Sequence, residues 1–212
     1  MALSKIQAES MNLADTYAFT GTVSGAGETN DVKLISTTTI SGTPSTLEWK
    51  DSSLSGELDF STYQYFTVNI HYFTHSSGST SKNMYGRFLD SSGNALTGSN
   101  YRWTSNNANR NGNADYGADA ADSFLITRDS AGGHSDRSNF LQLQIQDVNK
   151  TGKKKVATWY LSNDNHDVTS HAFATFGHVQ YTGTTSALGG IQVYFDGSSF
   201  ENGGVIKLYG HK

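Results

Sequence analysis

Leu141-Gln142-Leu143-Gln144-Ile145-Gln146 alternates apolar and polar residues without a break, and a period of two puts every apolar side chain on one face of an extended strand. The six residues therefore read as a strand with one buried face and one amide-lined face. Asn149-Lys150-Thr151-Gly152 supplies turn chemistry just downstream, so Lys155 to Leu161 is expected to return as the antiparallel partner. Chains built from such hairpins bury their apolar faces by stacking sheets.

The same period extends outward in both directions. Phe66, Val68, Ile70 and Tyr72 alternate with Thr67, Asn69 and His71, which predicts a half-buried strand. Further strands are expected at Tyr17 to Val23, Val32 to Ile40, Thr46 to Lys50, Met84 to Leu89, Tyr101 to Thr104 and Phe124 to Arg128. The last are Ala172 to Thr182, Ile191 to Phe195 and Val205 to Tyr209, for about eleven strands at the spacing of a sandwich or jelly roll. Ser105 to Asp122, rich in Asn, Ala, Gly and Asp, reads as a long irregular loop. The reading is an all-β, antiparallel, jelly-roll-like β-sandwich over residues 17–212. Met1 to Thr16, which lacks that period, precedes it as a short N-terminal attachment arm.

Composition narrows the function. Of the 212 residues 35% are hydrophobic and 16% charged, and there are 22 Gly and no Cys, so stability rests on packing or on association, without disulfides or thiolate metal sites. A net charge of −4 offers no broad basic field for nucleic acid. No stretch has the roughly 18 consecutive apolar residues of a spanning helix, and Met1 to Asp15 has no secretory pattern. The expected product is made in a cytosol and inserts in no membrane.

No catalytic or metal constellation stands out, and no cofactor is expected. His166, His171 and His178 beside Asp164 and Asp167 have intervals of five and seven, which point side chains apart on a strand. Asn163 to Asp167 lacks the Gly and terminal Glu of a calcium loop. Glu48 with Asp51 and Asp115 with Asp119 are only neighbouring acids, where glycoside hydrolysis needs two carboxyl groups held about 5 to 10 Å apart. Lys150, Lys153, Lys154 and Lys155 read as charges that keep a hairpin tip in water. Tyr101, Arg102 and Trp103, leading into the Asn-rich segment with Arg110 and Tyr116, are the candidate ligand-binding residues, since aromatic faces and amides suit sugar rings. The opposing reading turns Trp103 inward and leaves the segment in solvent or against a neighbouring subunit. Deleting Asn106 to Ala118 is expected to spare folding and abolish attachment.

Tyr63 to Ile70, Tyr85 to Gly93 and Tyr101 stand in an order that resembles the jelly-roll domains of tailed-bacteriophage virion proteins. Gly190 to Phe195 followed by Phe200 to Gly210 looks like the closing hairpin of those proteins. Leu3 to Val23 is similar to the leading segments of phage tail-fibre and other appendage proteins. The resemblance implies a virion structural protein, trimeric, displayed as a fibre, spike or head decoration. Its partners would be other copies of itself, other virion proteins held through the arm, and a cell-surface glycan. The alternatives on the same scaffold are a carbohydrate-active enzyme and a free lectin.

Overall fold

The computed structural model describes residues 31–77, 82–109, 112–128, 139–165 and 171–212. The expected arm and the strand at Tyr17 to Val23 lie outside the described residues. Twelve strands run in chain order among them: β1 (Val32–Thr39), β2 (Thr46–Lys50), β3 (Tyr65–His71), β4 (Met84–Leu89), β5 (Tyr101–Asn109), β6 (Gly112–Ala121), β7 (Phe124–Thr127), β8 (Phe140–Gln146), β9 (Lys155–Asn165), β10 (His171–Tyr181), β11 (Gly190–Phe195) and β12 (Val205–His211). They form two antiparallel sheets, one of eight strands in the order β1-β12-β3-β8-β9-β10-β5-β6 and one of four in the order β2-β11-β4-β7.

The pairing is nested. β1 pairs with β12, β2 with β11, β3 with β8 and β4 with β7, while β12 and β11 also join β3 and β4. One long folded ribbon rolled so that its successive rungs fall alternately in two sheets has this order, which is the jelly roll. Two further hairpins, β5–β6 and β9–β10, are inserted into it, and together they widen the larger sheet beyond β8.

Alternation explains the core. Phe66, Val68 and Ile70 of β3 and Leu141, Leu143 and Ile145 of β8 are fully buried, facing Phe88, Ile191, Val193 and Ile126 of the smaller sheet. Over the inserted hairpins the smaller sheet contributes β7, and Trp159 of β9 donates its indole N–H to the Ile126 carbonyl at 3.0 Å. The indole lies across Gly177, its cross-strand partner on β10, where a Cβ would fall 2.0 Å from the ring. Gly86 and Phe124 repeat the arrangement in the smaller sheet. In both places the ring covers backbone that the glycine leaves bare.

Four expectations are corrected. Ser105 to Asp122 is no loop: β5 and β6 pair from Tyr101↔Ala121 to Asn109↔Gly112, with a bulge near Arg102, and β10 pairs along β5. The inward residues here are polar and buried, Ser105 and Asn107, with Thr175 donating to Asn107 Oδ1 at 3.1 Å, so hydrophobic alternation could not reveal the strand. Deleting Asn106 to Ala118 would therefore strip a partner from β10 instead of trimming a loop. The closing hairpin is absent, because β11 and β12 belong to different sheets. Tyr72 leaves the strand with φ 57° and stands 65% exposed. Lys155 is fully buried, and its amine donates to the Asp147 carbonyl at 3.3 Å and to the Lys150 carbonyl. It shares the inward parity of Ala157, Trp159 and Leu161, and burial lowers its pKa.

The turn at Asp90 follows expectation, and its carboxylate accepts from the backbone N–H of Asn94 at 2.9 Å and of Ser92 at 2.8 Å. Those bonds lower its pKa, so the stabilisation is complete above the unfolded value of about 3.9 and is lost as pH falls through the depressed native value. Asp90→Ala is expected to lower the melting temperature at pH 7, with the gap to the parent closing in strong acid. A gap that persists unchanged at pH 2 would contradict this.

Candidate functional site

The two outer faces differ in chemistry. On the smaller sheet charged pairs stand beside the stacked rings of Tyr85 and Tyr194: Lys50 meets Glu48 at 2.8 Å, and Arg87 meets Asp122 at 3.4 Å while its guanidinium lies 4.9 Å from the Tyr194 ring. On the larger sheet, the outward residues of β3, β8 and β9 carry hydroxyls, amides and rings. Cross-strand partners point the same way, so the register sets them in rows. One row runs Val32, His211, Tyr65, Gln146, Val156, Gln180 and Arg102, and the next runs Leu34, Tyr209, Thr67, Gln144, Thr158, His178 and Thr104. A third row contains Lys207, Asn69, Gln142, Tyr160, Phe176 and Asn106. Val32, Leu34 and Phe176, three of the four large hydrophobic residues exposed among the described residues, stand on this face at 47%, 49% and 54% exposure.

Local contacts fix these side chains. Tyr65 stacks on His211 with centroids 4.1 Å apart and planes 11° from parallel, and His211 Nε2 hydrogen-bonds the Thr67 hydroxyl at 2.8 Å. Burial lowers the pKa of His211, which favours the uncharged imidazole. Gln142 donates to Asn69 Oδ1 at 3.2 Å, and Thr158 donates to Gln144 Oε1 at 3.2 Å. At one end a band of rings crosses four strands: His71 to Phe140 at 4.9 Å, Phe140 to Tyr160 at 6.2 Å and Tyr160 to Phe176 at 4.9 Å. Between the Tyr65–His211 stack and this band lies an open depression of about 530 Å³, whose lining contains no Asp, Glu, Lys or Arg.

The residues singled out from the sequence do not converge. Tyr101 is fully buried; its hydroxyl accepts from the Phe88 N–H at 2.9 Å and donates to the Leu96 carbonyl at 3.1 Å, so it is closed to a ligand. Trp103 shares that inward parity and packs against the core. Tyr116, paired with Ser105, also faces inward, 5.6 Å beneath the Arg128 guanidinium. Arg102 points out, and with Trp103, Asp119 and His178 it lines a second, charged depression of about 510 Å³. Tyr116 borders a third beside Phe176. Arg110 lies outside the described residues.

Sequence reasoning gave the amide-lined face of β8 but missed the residues of β3 and β9 that adjoin it. Its signal was present in Gln142 and Gln144 opposite Asn69 and Thr67, but only the register shows that they adjoin.

The acids have structural partners. Glu48 is held by Lys50, Asp51 caps the short 3₁₀ turn Ser52–Leu54, and Asp115 accepts from Asn106 at 2.6 Å. Asp115 and Asp119 are four residues apart on β6, hence about 13 Å along the strand. No group of three His, Cys, Asp or Glu among the described residues could hold a metal ion. His166 and Asp167 lie outside the described residues, and His178 points outward on β10. No helix among the described residues is long and apolar enough to cross a membrane. Compared with protein-family models, curated proteins and solved structures, the chain matches none.

Proposed function

We propose that the chain is a virion structural protein of a tailed bacteriophage, its jelly roll displayed as a fibre, spike or decoration that adheres through the outer face of the larger sheet. The observation that carries the reading is the outer face of the larger sheet, where three of the four large hydrophobic side chains exposed among the described residues stand with rings and amides around a depression lined by no Asp, Glu, Lys or Arg. A face that exposes apolar side chains in this way favours contact with another molecule over bare hydration. The N-terminal segment, similar to phage appendage leaders, supports attachment to a particle. The mechanism is adhesion without turnover. A homotrimer would cover strand edges and join weak contacts into a strong one.

Two measurements test the reading. Mass spectrometry of purified particles of the encoding phage is expected to find the chain at a fixed copy number, and antibodies against it should label projections. Its absence from particles would reject the virion assignment. Light scattering on the purified chain should report three times the chain mass. Release of reducing ends from a polysaccharide would instead establish an enzyme.

A further inference from the structure

We infer that the depression between the Tyr65–His211 stack and the ring band is a binding site for an uncharged oligosaccharide laid along the strands. This rests on the adhesion reading and moves the ligand from the β5–β6 hairpin to the outer face of β3, β8 and β9.

Three features select the ligand. The lining contains no Asp, Glu, Lys or Arg, so an acidic sugar finds no lysine or arginine within it; Lys207, cross-strand from Asn69, lies outside the lining. A neutral polyol leaves no buried charge unmatched. Gln142 holds the Asn69 amide, and the Thr158 hydroxyl holds the Gln144 amide, each through one hydrogen bond. That leaves the Asn69 amide donors, the Gln142 carbonyl and the Gln144 amide donors for hydroxyl groups, which both donate and accept. The rings bracket these amides, and pyranose C–H faces pack on flat aromatic surfaces with little loss of side-chain entropy. Along β3 the lining runs from Tyr65 to Asn69, four residues or about 13 Å, which matches a short run of sugars better than one ring.

Calorimetric titration of the full-length chain with neutral gluco-, manno- and galacto-oligosaccharides, and with oligogalacturonate as the charged comparison, tests the inference. Binding of at least one neutral series is expected, and the charged series should not bind. Tyr65→Ala and Gln142→Ala should each weaken it at least tenfold, about 1.4 kcal/mol, with circular dichroism and melting temperature close to the parent. Arg102→Ala, in the neighbouring depression, should leave it unchanged. Preference for oligogalacturonate, or equal binding by the Tyr65 and Gln142 variants, would overturn the site. So would neutral binding abolished by Arg102→Ala alone. A chain present in particles that binds none of these sugars would sink this inference while the virion reading stands. If Tyr65→Ala dissociates an oligomer, the face is a subunit interface and the inference also fails.

Discussion

Trp159→Ala is expected to lower stability by about 3 to 5 kcal/mol, the range for removing a large aromatic side chain from a core. Trp159 is 4% exposed and sits 5.3 Å from the Phe124 ring. Its ring covers Gly177, which has no side chain to fill the space left behind. The Ile126 carbonyl would also lose its indole donor. Because β7 and β9 meet here, the loss falls where the inserted hairpins rest on the smaller sheet. Urea denaturation followed by circular dichroism measures it. Trp159→Phe, which keeps one ring but loses the N–H donor and part of the cover over Gly177, should cost less than Trp159→Ala. A Trp159→Ala loss below about 1 kcal/mol would mean that other contacts anchor the hairpins.

Tyr101→Phe should cost about 1 to 3 kcal/mol, because the buried Phe88 N–H loses its acceptor and no water can replace it. The same phenol sets a pH dependence. Burial raises its pKa above the ordinary value, so the native state holds the proton more tightly than the unfolded chain. That stabilisation is fully present below the unfolded value of about 10, and is lost as pH rises from there through the raised native value. Tyr194 is shifted the same way by burial. The parent should therefore lose stability steeply above pH 10, and Tyr101→Phe should flatten the decline without removing it. Denaturation curves between pH 8 and 11.5 decide this; identical slopes in both proteins would assign the alkaline loss elsewhere.

Tyr101 also shows where sequence reading stops. Tyr101 and Trp103 alternate with Arg102 and Thr104, so their shared parity was visible, and an inward face was the available conclusion. The inward reading of Trp103 stood beside the binding one, and treating the following segment as a loop left the two undecided. Ser105, Asn107 and Thr175 are buried polar groups, with Thr175 donating to Asn107 across strands β10 and β5, and no hydropathy pattern records a partner 68 residues away. Lys155 is the converse case. Its parity with Ala157 and Trp159 places it inside, but charge argued for water, and only the Asp147 and Lys150 carbonyls make burial tolerable.

Period-two alternation within single strands determined the fold class, most of the strands and the inward sets Phe66-Val68-Ile70 and Leu141-Leu143-Ile145, because side-chain direction along a strand is a local property of the backbone. The nested pairing, the separation of β11 from β12 and the insertion of two hairpins beside β8 were decided by tertiary structure alone. So was the face that joins Tyr65 to His211 and Asn69 to Gln142. These pairs lie 146 and 73 positions apart, and which strands become neighbours depends on how whole sheets bury their apolar faces against each other, a balance that no short window of sequence contains.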